Sequence, residues 1–367
     1  MSKKNLSLEN AVQINDGLKQ TSSDGAALAF DSKYGIMFCA YMPGFLGDYG
    51  ESRGKISLSY FPASQPTNIK FLDVSFGNEE YVPNIISLGN GKVRILYEKF
   101  SRADGDHPVC YKDFDFLTQT LSEEKIVMLN KQDGSVIPLG ISETFKYIEV
   151  NGYFDHRYVK TEQHIIGGCT YFRGEDGYLY GALSTEVGET VLYRSKDDHA
   201  SVEFFAVYPR RVQYEFDYKI LNGIIYAIYR TDRAKDAIGY SVSKDMGKTW
   251  TEPEYFKDSI QCRPRLIIHE NQVLTVYNYY NSDSGNRPRV IDGRTAIRIH
   301  LGENPVNDDT TMIADLHSKY GVVNIAVCDV LGDVYLVYST SVSALEYQNG
   351  TPYVRGKDAL RYLKLDL

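Results

Sequence analysis

The apolar positions of this chain come in short bursts, and the bursts come in pairs. Six stretches share one pattern: an apolar strand, a short turn carrying Gly or Asn, then a second strand that usually ends in Tyr. The first runs Ala26 to Phe30, turns over Asp31 to Gly35 and returns as Ile36 to Tyr41. The second is Val82 to Leu88, Gly89-Asn90-Gly91, then Val93 to Tyr97. The third is His164 to Tyr171, Gly174 to Gly177, then Tyr178 to Tyr180. Phe216 to Leu221 and Ile224 to Tyr229 flank Asn222-Gly223, and Arg265 to Ile268 and Val273 to Tyr277 flank Glu270-Asn271. Val322 to Val327 and Val334 to Tyr338 flank Leu331-Gly332. Asn and Gly tolerate the positive φ of tight connections, so each pair reads as a β-hairpin.

A third strand follows most pairs: Lys55 to Tyr60, Thr190 to Tyr193, Ala237 to Val242, Thr295 to His300 and Ala359 to Leu365. A unit of three or four strands repeating six times at intervals of roughly 50 to 60 residues predicts an all-β, six-bladed β-propeller. A sandwich would not need the same hairpin six times. Residues 1–367 form one domain on this reading, with no linker or boundary. Leu360 to Leu365 is expected to share a blade with Ala11 to Ile14 and so close the ring. The stretch near 131–163 lengthens one interval and reads as a lid, an extra strand pair or a packed surface insertion. As a lid, its Tyr153-Phe154-Asp155-His156 would reach over a central site.

Composition sharpens this picture in a few places. Thirty tyrosines and 30 glycines against one tryptophan suit many short strands and tight turns. The net charge of −8, without any basic run, excludes nucleic acid as a partner but leaves room for an anionic ligand gripped by local arginines. Five cysteines without paired spacing, three of them in apolar runs, read as buried free thiols. No signal segment follows Met1-Ser2-Lys3-Lys4 and no apolar run is long enough to span a bilayer, which predicts a cytoplasmic protein with no membrane partner. No C-x-x-C and no histidine pair at ligand spacing occurs, and the Gly-x-Gly runs lie in hairpin turns, so no metal and no cofactor is expected.

One turn carries a motif. Ser243-Lys244-Asp245-Met246-Gly247-Lys248-Thr249-Trp250 follows a strand, and its Ser, Asp and Gly describe a tight turn closed by the chain's only tryptophan. These eight residues match every fixed position of the Asp box, S-x-D-x-G-x-T-W, and so resemble the sialidases and other BNR-repeat β-propellers. In that family the box is structural and lies away from the active site. Ser195, Asp197, His199, Ser201 and Val202 form a worn copy one blade earlier, without the Gly and the Trp.

In a propeller the first strand of each blade lines the central tunnel, and the residues leading into those strands converge at one mouth. Here those places hold Ser23-Asp24, Tyr81, Gln163-His164, Tyr214-Glu215, Arg263 with Arg265, and His317 to Tyr320. Packing alone would not select such a polar set, because buried charge is costly unless paired. Arginine forks bind carboxylates in two-point fashion, so the set suits a carbohydrate bearing one.

The sialidase resemblance implies roles for several of these residues. Tyr320 is placed like the family's tyrosine nucleophile, Glu215 like the glutamate that activates it, and Asp48 like the aspartate acid/base. Arg230, fifteen residues after Glu215, and Arg294 match the second and third arginines that hold the substrate carboxylate. The chemistry is coherent, since a carboxylate can take the proton of a phenol whose ordinary pKa is about 10. Tyrosine nucleophiles occur where the anomeric centre adjoins a negative group. Alternatively, Glu215 and Arg230 simply pair with each other across one hairpin.

One departure stands out. The family's first arginine falls near Asp24-Gly25-Ala26, where this chain has none, and an aspartate there repels a carboxylate. Either Arg263, Arg265, Arg287 or Arg289 takes over, or the substrate is not an ordinary sialic acid; the second alternative is adopted here. Asp24 and His317 complete the substrate-binding set. The reading is an exo-glycosidase acting on an acidic or unusual sugar. Two others stand beside it. His164, Tyr214 and Arg230 resemble the site of propeller polysaccharide lyases, which cleave beside a uronate by β-elimination, although the second histidine of those lyases is missing. A non-catalytic sugar-binding propeller is the third.

Overall fold

The computed structural model describes residues 10–15, 23–43, 55–75, 80–99, 106–153, 165–166, 170–185, 190–210, 212, 215–231, 237–256, 259, 263–279, 296–303, 306, 312–315, 325–341, 345–348, 351–354, 358–365 and 367. Six antiparallel blades stand in a ring. Blade 1 is Ser23–Asp31, Ile36–Pro43, Ser57–Pro62 and Lys70–Asp73. Blade 2 starts with Glu80–Gly89 and Lys92–Lys99, blade 3 centres on Leu179–Thr185, Thr190–Ser195 and Ser201–Tyr208, and blade 4 is Phe216–Leu221, Ile224–Arg230, Ile238–Ser243 and Glu254–Phe256. Blade 5 is Arg265–His269, Gln272–Tyr279, Ala296–Leu301 and Met312–Asp315. Blade 6 is Ile325–Val330, Asp333–Ser341 and Asp358–Lys364, completed from the other end of the chain by Val12–Gln13.

That last pairing is the closure expected from the sequence: Val12 sits opposite Tyr362 and Gln13 opposite Arg361. Asn15 reinforces it, its side-chain oxygen accepting the Leu360 N–H at 3.0 Å. The predicted hairpins of blades 1, 4, 5 and 6 all form, blade 4 almost residue for residue.

Each blade buries both faces, and the side-chain alternation of a strand explains how. Ile85 packs into the gap between blades 1 and 2 while its neighbour Ile86 packs into the gap between 2 and 3. Ala27 and Ala29 face blade 2, and Ala26 and Leu28 face blade 6. The core is therefore six apolar clusters, one in every inter-blade gap. A wholly buried isoleucine or leucine in such a gap contributes about 1.5–3 kcal/mol. Tyrosines share these gaps, and several bond their hydroxyls internally. Tyr208 donates to Tyr229 at 2.7 Å, with Ser241 Oγ 3.0 Å from both, all buried between blades 3 and 4. Gly239 in the third strand of blade 4 makes room for the Tyr229 ring, which a Cβ there would strike.

Three features differ from expectation. The third strand of blade 2, Val109–Asp115, was not foreseen, because Lys112, Asp113 and Asp115 dilute its apolar pattern; all three lie on the strand, with Phe114 buried among them. In blade 3 the first strand consists of short pieces, Ile165–Ile166 and Phe172–Arg173, both paired to Leu179–Thr185, and His164 lies outside the described residues. The insertion is no lid over the centre as far as it is described. Met128–Asn130 runs parallel to Ser201–Tyr208 on the outermost edge of blade 3, Val136–Pro138 pairs with it, and the helix Ser142–Val150 follows. Tyr153 packs there against Tyr147 and Phe204, at 6.1 and 5.7 Å between ring centres. Phe154, Asp155 and His156 lie outside the described residues.

The turns at Ser243 and Ser195 both form. Ser243 Oγ accepts the Gly247 N–H at 2.7 Å and donates to Asp245, whose carboxylate accepts the Thr249 N–H and hydroxyl at 2.8 and 2.6 Å. Ser195 Oγ accepts the His199 N–H at 2.9 Å and donates to Asp197, which accepts the Ser201 N–H and hydroxyl, both at 2.8 Å.

Cys39 and Cys110 are buried free thiols and Cys328 is partly buried; burial pushes the Cys110 and Cys328 thiols up to about 12. Cys169 and Cys262 lie outside the described residues. Among the described residues no helix is long and apolar enough to cross a membrane.

Candidate functional site

The first strands of the blades form the inner ring, lying against one another from blade 4 to 5 to 6 to 1 to 2. Phe216 is the first paired residue of blade 4, opposite Tyr229, so the next pair outward is Glu215 and Arg230. Their backbones extend the ladder, the Arg230 N–H donating to the Glu215 carbonyl at 3.0 Å. Register thus brings the two side chains together, and Arg230 Nη1 donates to Glu215 Oε2 at 3.1 Å. The direct pairing weighed from the sequence is formed.

The other carboxylate oxygen faces the next blade. Arg263, leading into the first strand of blade 5, places Nε 3.8 Å from Glu215 Oε1. Arg265, two residues on, is turned toward blade 6 and donates from Nε to the Ile325 carbonyl at 3.0 Å. Both arginines and the Glu215–Arg230 pair are largely buried. The structure therefore gathers Glu215, Arg230 and Arg263 into one cluster at the leading ends of the blade 4 and blade 5 inner strands. Arg265 stands beside them. Tyr320, Asp48, His164, Tyr214, Arg294 and His317 lie outside the described residues, as do Arg287 and Arg289. Asp24 is on the first strand of blade 1, its backbone opposite Met42, next to an irregularity in register.

Two supporting residues were missed from the sequence. Asp217 and Lys219 follow Glu215 at every second position of the strand, on the same side, and both are buried. The Asp217 carboxylate accepts N–H groups from Thr170 of blade 3, at 3.1 Å, and Leu266 of blade 5, at 2.9 Å. Lys219 Nζ bonds to Asp217 at 2.9 Å and to the Thr170 carbonyl at 3.2 Å, above the Phe172 ring. This pair joins three blades directly beneath Glu215 and fixes the backbone next to Arg265. A buried pair is expensive to break because the surviving charge is left uncompensated. The signal was the alternation Glu215, Asp217, Lys219 in an otherwise apolar strand. Among the described residues no group of three or more His, Cys, Asp or Glu side chains could hold a metal ion.

Six antiparallel blades in a ring define a sialidase-like β-propeller fold. Solved structures share this fold. A protein of unknown function from Dyadobacter fermentans DSM 18053 matches with a TM-score of 0.64 at 12% identity, over 96% of this chain and 97% of that one. A Trypanosoma rangeli sialidase in complex with 2,3-difluoro-KDN matches with a TM-score of 0.63 at 12% identity, over 96% of this chain and 57% of that one. The Hadza microbial sialidase Hz136 matches with a TM-score of 0.64 at 10% identity, over 97% and 68%. The chain thus spans little more than half the length of the trypanosomal enzyme, and the likeness concerns the fold. Comparison with protein-family models gave no match, and neither did comparison with curated proteins.

Proposed function

We propose that this chain is a carbohydrate-active enzyme, an exo-glycosidase of the sialidase type that acts on an acidic or otherwise unusual sugar. The observation that carries this reading is the Glu215–Arg230–Arg263 cluster at the leading ends of adjacent inner strands. The fold shared with sialidases supports it, as does the Ser243–Trp250 turn, which this reading takes as the chain's Asp box. Tyr320 is the nucleophile, Asp48 the acid/base, and Arg230 and Arg294 hold the sugar's anionic group. Glu215, oriented by Arg230, takes the phenol proton as Tyr320 attacks the anomeric carbon, while Asp48 protonates the departing glycosidic oxygen. Water deprotonated by Asp48 then displaces the sugar from Tyr320, which regains its proton from Glu215; tyrosine serves because a second carboxylate beside an anionic sugar would be repelled.

The experiment is a mixture of acidic oligosaccharides incubated with wild type and Tyr320→Phe. Wild type is expected to release a saturated reducing sugar, and the variant to lose roughly 10³-fold or more of that rate. Unchanged activity in Tyr320→Phe discards the nucleophile. An ultraviolet-absorbing unsaturated product would assign elimination instead of hydrolysis.

A further inference from the structure

Arg263 is 9% exposed, and its Nε has no hydrogen-bond partner among the described residues. Among the described residues its one ion-pair partner is Glu215, and at 3.8 Å from Oε1 that contact is longer than a hydrogen bond. On its neighbours, Arg265 Nε reaches the Ile325 carbonyl at 3.0 Å, and Arg230 Nη1 reaches Glu215 Oε2 at 3.1 Å. A buried guanidinium N–H without an acceptor is unfavourable unless something else supplies one.

Charge at this corner points the same way. Asp217 is matched by Lys219, while the single Glu215 carboxylate faces both Arg230 and Arg263. Across the ring, blade 1 offers Asp24 where the family resemblance leads one to expect an arginine.

We propose that Arg263, on blade 5, receives the carboxylate of the bound sugar. This rests on reading the cluster as a sugar site. The carboxylate fits because its two oxygens lie in one plane and match the guanidinium fork. Such a ligand docks over blades 4 and 5, with its anionic group beside Glu215 on the Arg263 side.

The test is calorimetric titration of wild type, Arg263→Gln and Arg263→Lys with N-acetylneuraminic acid, glucuronic acid, their methyl esters and glucose 6-sulfate. Wild type is expected to bind one of the acids about 10- to 100-fold more tightly than its ester, the usual range for a charge-assisted contact. Arg263→Gln should erase that preference, and Arg263→Lys, which keeps the charge but not the fork, should retain part of it. The melting temperature of Arg263→Gln should equal or exceed that of wild type, since Nε has no hydrogen-bond partner to lose among the described residues. Equal affinity for acid and ester in wild type overturns the proposal. So does a preference that survives in Arg263→Gln, tighter binding of the sulfate than of either acid, or a marked fall in melting temperature, which would make Arg263 a structural residue. Acid sugars that bind through Arg263 and are not cleaved would support this assignment while removing the glycosidase reading.

Discussion

Ser195 to Val202 in blade 3 and Ser243 to Trp250 in blade 4 occupy the same place, the turn after the third strand, with different residues. Their hydrogen bonds correspond one for one, and so does the backbone. Met246 and Gly247 have φ of 58° and 88°, and Asp198 and His199 have φ of 55° and 63°. What differs is how each turn is tied to the blade before it. In blade 4 the turn reaches out: Trp250 Nε1 donates to Val207 of blade 3 at 3.1 Å, and its indole meets the Tyr208 ring edge-on. In blade 3 the preceding blade reaches in. Arg94 of blade 2 donates from Nη1 to the Asp198 carbonyl at 2.7 Å, while its Nε and Nη2 hold both oxygens of Asp113 at 2.7 and 2.8 Å. The turn that lost its tryptophan is held by an arginine from next door. A serine and an aspartate suffice for the local fold, and the anchor to the neighbouring blade is interchangeable.

The two turns also differ in the residue at the tight position. Gly247 leaves no room for a side chain, since a Cβ there would collide with that of Ala206. His199 occupies the equivalent place with its ring fully buried against Tyr171, 4.4 Å between centres, and Tyr193. Neither ring nitrogen has a hydrogen-bond partner among the described residues. Burial, with Arg94 close by, pushes its pKa down from 6.5 to about 3. The folded chain thus binds fewer protons than the unfolded chain between those values. Stability is complete above pH 6.5 and falls as pH drops toward 3.

The largest effect expected from this contrast is therefore in acid. Across that window His199 should withdraw roughly 5 kcal/mol of stability, and His199→Asn, which tolerates the left-handed backbone, should flatten the limb of a urea-unfolding series run from pH 7 to 4. Equal slopes in the two proteins would refute the buried neutral ring. Asp245 in the other turn is held down to about 2, chiefly by the Thr249 hydroxyl and N–H, so its support fades only as pH falls below its ordinary 3.8.

Next in size is Arg94→Leu, which leaves the Asp113 carboxylate and a turn carbonyl without their donor and should cost about 3 kcal/mol in urea unfolding. A loss below about 1 kcal/mol would mean that the arginine does not anchor the turn. Trp250→Val installs the residue that the blade 3 turn carries at this position. It should cost about 2 kcal/mol, because the indole is only half-buried and valine keeps part of the contact. Adding Trp250→Val to Arg94→Leu should be additive, as the two anchors lie in different inter-blade gaps and share no partner. Strong coupling would show that the two turns are mechanically linked through blade 3.

Much of the ring was legible because its signals are local. Asn222-Gly223 between two apolar runs specifies a hairpin whatever surrounds it, and blade 4 formed where that pair placed it. The Glu215–Arg230 contact was legible for the same reason, since hairpin register fixes which residues face each other. Val109–Asp115 was missed because its lysine and aspartates answer partners elsewhere: Lys112 Nζ reaches the Val74 carbonyl in blade 1 at 2.9 Å, and Asp113 is the counter-ion of Arg94. Such demands leave no trace in a strand's own periodicity.

By itself the sequence determined the strands, their turns, their sixfold repetition and the pairing of the chain's two ends, because backbone preference and side-chain alternation act within a few residues. Only the tertiary structure decided which charges meet. Arg263 stands beside Glu215 because two inner strands from different blades run side by side, and Asp217 joins three blades because the strand ends converge there. Those contacts are set by how six blades pack into a ring, a distance in space that no spacing along the chain records.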